Sequence, residues 1–132
     1  MVTVVAGILQ REGRLLIGRR LRGKREALKW EFPGGKLEPG ELPEAGLARE
    51  LLEELGIVVQ VEGPVGSSHH DYPWGSLELL AYRVIHVGGA MTLHDHEEVR
   101  WVLPAELDAY DFAAADLPIV RLIRARGDTT ES

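Results

Sequence analysis

Apolar residues follow two different periods along this chain. VTVVAGIL (residues 2–9) and RLLIGRRL (14–21) are β-branched or aliphatic runs with a short polar Arg-Glu-Gly between them, which predicts two strands joined as a hairpin. From Pro43 to Leu55 the period becomes helical. At about 100° per residue, Ala45, Ala48, Leu51, Leu52 and Leu55 cover one side of that helix, and Glu50, Glu53 and Glu54 crowd the other. Pro43 suits a first helical turn and Gly56 a stop just past the last one. Between hairpin and helix lie the loop LRGKREALK (21–29), a short strand WEF (30–32) and a predicted turn at Pro33-Gly34-Gly35. Beyond the helix, IVVQVEG (57–63), LELLAYRVIHV (77–87) and EVRWVL (98–103) read as strands. PAELDAY (104–110) then reads as a turn of helix and LPIVRLIRAR (117–126) as a last helix.

The length of 132 residues, 45% of them hydrophobic, fits one compact α/β domain over residues 1–127 with a polar tail at 128–132. No apolar run is long enough for a membrane span, and the first ten residues lack the basic start of a secretory signal, so a cytoplasmic protein is expected. The absence of cysteine removes disulfides, thiol nucleophiles and thiolate metal sites, leaving oxygen or imidazole for any metal. A net charge of −6 argues against a nucleic-acid polymer as partner. The charge is unevenly spread: residues 1–36 hold nine Lys/Arg against three Glu, whereas the rest holds six against eighteen Asp/Glu. That asymmetry suits a small anion held together with a divalent cation, although solvated basic loops explain it as well.

Like charges three or four residues apart on a helix repel by about 0.2–0.5 kcal/mol per pair, so the Glu50, Glu53, Glu54 cluster needs either full solvation or a cation. The segment before the helix adds Glu38 and Glu41, and Gly34 and Gly35 allow close backbone approach, so carbonyl oxygens there can face an ion held by the helix carboxylates. Hard oxygen ligands of this kind suit Mg²⁺, with Mn²⁺ as a substitute. The pairs His69-His70 and His94-x-His96 invite a zinc reading but come with no third ligand, and are read as surface or strand-end residues. Neither a phosphate-binding Gly-Lys-Ser/Thr loop nor a Ser-His-Asp arrangement is supported by the spacing.

Gly35, five residues, Glu41, seven residues, Arg49-Glu50-Leu51, one residue, Glu53-Glu54, one residue and Gly56-Ile57 reproduce the Nudix box without departure. On those residues the chain resembles the Nudix hydrolases. The flanking ALKWEFPGGKLEPGE, HEEVRWVLPAEL and DFAAADLPIV resemble the MutT and CTP-pyrophosphohydrolase branch, and residues 59–76 match least. The resemblance implies a Nudix fold, a mixed β-sheet sandwiched between α-helices, and Mg²⁺-dependent attack of water on a nucleoside triphosphate. The products would be monophosphate and pyrophosphate. It implies Glu50, Glu53 and Glu54 as metal ligands with the Gly35 carbonyl, Arg49 as the group that orients them, and Glu41 as an outer ligand or loop holder. A Glu three residues before the Trp, here Glu98, is a further metal-linked residue, with Glu97 and Asp95 competing; Glu50 and Glu98 are the two candidates for general base.

Arg20 and Lys36 are the expected phosphate cations. In this branch the residue before the last helix faces the nucleobase, and Asp116 holds that position; oxidised-guanine sanitisers have Asn there and the CTP-pyrophosphohydrolase type has Asp. A carboxylate only accepts, so Asp116 suits an exocyclic amine such as cytosine N4 or a guanine N1/N2 edge. As a helix N-cap it has an equally good structural role. Tyr72 and Trp74 offer a stacking wall or a plain loop anchor. Substrates therefore range over 8-oxo-dGTP, (d)CTP and modified nucleotides, with ADP-ribose as an alternative and a non-catalytic nucleotide sensor as an alternative of another class. A monomer or homodimer is expected.

Overall fold

A computed structural model describes residues 1–126, so the tail expected at 128–132 lies outside the described residues. Seven strands and two α-helices alternate as β1 (Val2–Arg11), β2 (Arg14–Arg20), β3 (Trp30–Glu31), β4 (Gly34–Lys36), α1 (Pro43–Leu55), β5 (Val58–Tyr72), β6 (Gly75–Gly88), β7 (His96–Val102) and α2 (Leu117–Ala125). Short 3₁₀ turns at Pro104–Ala109 and Ala114–Asp116 precede α2.

The sheet is mixed. β1 runs parallel to β6, with Val4 opposite Leu79 and Ile8 opposite Arg83, and antiparallel to β4, with Val5 opposite Gly35. β6 pairs antiparallel with β5, and β2 pairs antiparallel with both β3 and β7. Side chains alternate across the strands and so feed two cores. Val5 and Leu9 of β1 and Leu16 of β2 meet Leu47, Leu51 and Leu55 of α1, while Ala6, Ile8, Leu15 and Ile17 meet Ile119 and Val120 of α2. The sheet is therefore sandwiched between the helices, as the resemblance implies.

Three elements differ from the sequence reading. Pro33-Gly34-Gly35 does not merely turn: Gly34 to Lys36 pair with β1, and a methyl group at Gly34 would collide with the Val5 carbonyl, so only glycine lets the two backbones approach this closely. The strand expected to stop at Gly63 continues to Tyr72. Its Gly63-Pro64 and Gly66 are absorbed by register shifts between Val61 and Gly63 and between Pro64 and Gly66, and β5 is an edge strand where a missing N–H is tolerated. Gly66 also leaves room for Leu122 of α2. Finally, α1 is rotated from the expected orientation. It buries Gly46, Leu47, Leu51 and Leu55, whereas Ala45 and Leu52 are exposed.

Candidate functional site

That rotation decides which acids face inward. Positions three and four apart share a helix face, so Glu50 and Glu54 rise beside Leu47, Leu51 and Leu55, while Glu53 points away with most of its side chain in solvent. The expectation that all three carboxylates lie on an outward face is corrected accordingly. Gly56 ends the helix in the left-handed conformation (φ 70°), donating its N–H to the Leu52 carbonyl at 3.0 Å.

Glu50 and Glu54 line a cavity of about 470 Å³ together with Gly35, Lys36, Arg20, Tyr72 and Asp116. Seven residues expected from the sequence thus meet in one place, a volume typical of small-molecule sites. Burial, then the neighbouring charges of Glu31, Asp95 and Glu50, push the Glu54 carboxyl up to about 9, and its Oε1 is buried without a hydrogen-bond partner. Glu50 is also raised, by burial first, against the pull of Arg49. The Glu50 carboxyl lies directly over Gly35, where any side chain would collide with it.

Arg49 stays outside the cavity and ties its walls together. Its guanidinium donates to both carboxylate oxygens of Glu41 at 2.7 and 2.9 Å, to Glu50 at 3.0 Å, to Glu53 at 3.1 Å and to the Lys36 carbonyl at 3.1 Å. Glu41 also accepts from the Glu38 N–H, and its carboxyl drops to about 2, held there by Arg49 first and the backbone bond second. One arginine therefore fixes β4, the loop after it and two helix carboxylates.

Glu98 is not brought to the cavity. On β7 it sits opposite Arg19 and is held by Arg19 at 3.3 Å and Arg100 at 2.8 Å, near Trp30, where Arg19 and Arg100 lie over the indole ring. The competing Asp95, in the loop before β7, lines the cavity instead; it hydrogen-bonds Glu54 and forms a 3.2 Å ion pair with Lys24. The sequence held both acids but showed neither where β7 begins nor which way it turns Glu98, which a register shift between Arg19 and Arg20 helps to set.

Glu31 was also missed. It accepts from Arg20 Nη1 at 2.8 Å and from His96 Nε2 at 3.0 Å, and it faces the cavity opposite Glu54. A signal existed: Trp30 and Phe32 are core, so on a strand Glu31 must point to the other face.

The same cavity is lined by the apolar side chains of Val4, Ala6, Leu77, Leu79 and Ala115. Asp116 lines it as well, 4% exposed. Although it is the N-cap residue of α2 its side chain makes no capping bond; Oδ2 accepts from the Phe32 N–H at 3.0 Å. Burial and then Glu31 push its carboxyl well above the usual range. Tyr72 stacks on Trp74 with centroids 5.1 Å apart and planes within 7°, and Arg25 covers Trp74 at 4.3 Å, so an aromatic wall lines the cavity.

The arrangement fits a divalent cation. An unpartnered buried carboxylate oxygen, a proton held up to about pH 9 by burial and then by like charges, and a backbone cradle at Gly35 all describe acids waiting for positive charge. Among the described residues no group of three His, Cys, Asp or Glu side chains is drawn together closely enough to hold a metal ion as they stand. Gly35→Ala is expected to displace the Glu50 carboxyl and lower kcat about 100-fold with little loss of nucleotide affinity, as a misplaced group near the chemistry does; steady-state kinetics check this.

A sequence model described as the NUDIX domain matches residues 1–123. The CTP pyrophosphohydrolase of Escherichia coli K12 is 37% identical over 125 residues, covering 95% of this chain and 93% of that protein. The 8-oxo-dGTP diphosphatase of Haemophilus influenzae is 35% identical over 121 residues, covering 91% and 89%. The solution structure of the E. coli ORF135 protein superimposes with a TM-score of 0.87 at 35% identity, covering all of this chain and 95% of that one. No helix among the described residues is long and apolar enough to cross a membrane.

Proposed function

The chain belongs to the NUDIX family of hydrolases, whose members generally work with a divalent metal ion, and from that premise we propose that it is a Mg²⁺-dependent nucleoside triphosphate pyrophosphohydrolase. The substrate is a (d)NTP of the (d)CTP or 8-oxo-dGTP kind, cleaved to monophosphate and pyrophosphate in the cytosol by a monomer or homodimer. The observation that carries this reading is one cavity lined by Glu50, Glu54 and Gly35 together with Asp116 and a set of apolar side chains.

Glu50, Glu54, the Gly35 carbonyl and Asp95 would hold the ion, with Mn²⁺ able to replace Mg²⁺. Glu53, which points away from the cavity, would have to leave its ion pair with Arg49 to reach the ion. The chemistry a bound divalent ion supplies here is neutralisation of charge on the phosphate oxygens, which opens the phosphorus to water. Glu50, raised by burial and facing the cavity, takes the proton from the attacking water. Arg20 and Lys36 bind the polyphosphate, and Lys24, paired with Asp95 at 3.2 Å, would add a third cation to the same cavity. Tyr72 and Trp74 flank the base, while Asp116 accepts from its exocyclic amine.

Nucleoside monophosphate release with Mg²⁺, compared across 8-oxo-dGTP, dGTP, CTP, dCTP, 5-methyl-dCTP and ADP-ribose, tests the reading. We expect kcat/KM at least about tenfold higher for the preferred cytosine or oxidised-guanine nucleotide than for ADP-ribose. ADP-ribose as the best substrate, or no turnover of any nucleotide, would overturn it.

A further inference from the structure

The chemistry above leaves the His94-x-His96 pair unused, yet the two rings flank Asp95. The last turn of any α-helix presents four carbonyls without helical partners. In α1 the segment before β7 takes three of them: Thr92 N–H donates to Leu55 O at 2.9 Å, His94 N–H to Glu54 O at 3.1 Å, and His94 Nδ1 to Glu53 O at 3.1 Å. The fourth, Leu52 O, accepts from Gly56. Because a carbonyl can only accept, His94 Nδ1 carries the proton, and Nε2 of the neutral ring accepts from Thr92 Oγ1 at 3.0 Å. On the other side of Asp95, the buried His96 ring fixes the chain to β3 through Glu31.

We propose that His94 is a positioning residue for the metal-holding carboxylates: its ring clamps the loop that carries Asp95 onto the C-terminal turn of α1 that carries Glu53 and Glu54. The inference rests on the assignment of Asp95 and Glu54 to the metal. Apart from the His94 ring, the loop that carries Asp95 is held by the Thr92 and His94 N–H groups on α1, by the Lys24 ion pair and by the His96 ring on β3, and a carboxylate that must meet Glu54 within hydrogen-bond reach is sensitive to small shifts of that loop. The His94 ring ties the loop to the residue next to Glu54, so helix and loop move as one body.

Mn²⁺ binding to the full chain, followed by calorimetry for wild type, His94→Ala, His94→Asn, Asp95→Asn and the double variant His94→Ala/Asp95→Asn, tests this, together with metal-free melting and the nucleotide kcat and KM. We expect His94→Ala to weaken Mn²⁺ binding about tenfold, the lower end for an outer partner of a metal ligand, and Asp95→Asn to weaken it at least as much. The double variant should be no worse than Asp95→Asn, because His94 acts through Asp95. His94→Asn, whose amide N–H falls where Nδ1–H stood, should restore most of the affinity. His94→Ala should lower kcat at limiting metal with nucleotide KM unchanged. Wild-type Mn²⁺ affinity in His94→Ala, additive losses in the double variant, or a His94→Asn variant as weak as His94→Ala would overturn the inference while leaving the metal assignment standing. Wild-type affinity in Asp95→Asn would overturn that assignment and the inference with it.

Discussion

Glu54→Gln is expected to lower kcat about 10³-fold while making the metal-free protein more stable, since losing a ligand to the ion removes about 4 kcal/mol of transition-state stabilisation. The two effects have one cause. Glu54 is buried beside Glu31, Asp95 and Glu50, and its carboxyl, ordinarily half-ionised near 4.5, titrates near 9. Between those pH values the folded metal-free chain holds a proton that the unfolded chain has lost, so stability falls as pH rises through the window. Below 4.5 both states are protonated and above 9 both are ionised, and this contribution is flat. A glutamine cannot ionise and lacks that slope. Thermal melting in EDTA at pH 5, 7 and 9 should therefore show wild type losing ground to Glu54→Gln as pH rises. Mg²⁺ should restore wild type but not the variant. Parallel melting curves for the two proteins would show that Glu54 carries no such strain.

Asp116→Asn should change which base is hydrolysed rather than whether hydrolysis occurs. The amide oxygen can keep the bond from the Phe32 N–H at 3.0 Å, but the second oxygen, an acceptor when the carboxyl is ionised, becomes an NH₂ group that can only donate. Discrimination built on one buried hydrogen bond amounts to about 1–3 kcal/mol, so the ratio of kcat/KM for cytosine over 8-oxoguanine nucleotides should move about 10- to 100-fold. Asp116→Ala differs in kind. It leaves the buried Phe32 N–H without a partner, at a cost of about 1–3 kcal/mol in stability. An equal loss on every nucleotide for Asp116→Asn, at unchanged melting temperature, would assign Asp116 to structure alone.

How far these features could be read from sequence depended on whether their cause was local. The hairpin, α1 with its Pro43 start and Gly56 stop, and the box itself follow from periodicity and spacing, and all are present in the fold. The rotation of α1 does not. Ala45 and Leu52 carry the apolar pattern, yet the sheet receives Leu47, Leu51 and Leu55, and Glu50 and Glu54 come inward with them. The strand pairing that turns Pro33-Gly34-Gly35 into β4, and the bulges that carry β5 through Pro64, depend on partners far along the chain. The choice of Asp95 over Glu98 depends on which way β7 presents each side chain against β2, and three neighbouring acids look alike until that pairing is known. Asp116 was legible by position, but its bond to Phe32 required the tertiary fold.

The central claim is that Glu50, Glu54, Gly35 and Asp95 hold a divalent ion needed for hydrolysis, and its most direct test is a Mg²⁺ back-titration of EDTA-treated protein with melting temperature and pyrophosphate release followed in the same samples. The account predicts no release in EDTA and a recovery of both signals over the same range of free Mg²⁺, with Glu54→Gln recovering neither. Full pyrophosphate release in EDTA, or turnover returning without any change in melting, would contradict it.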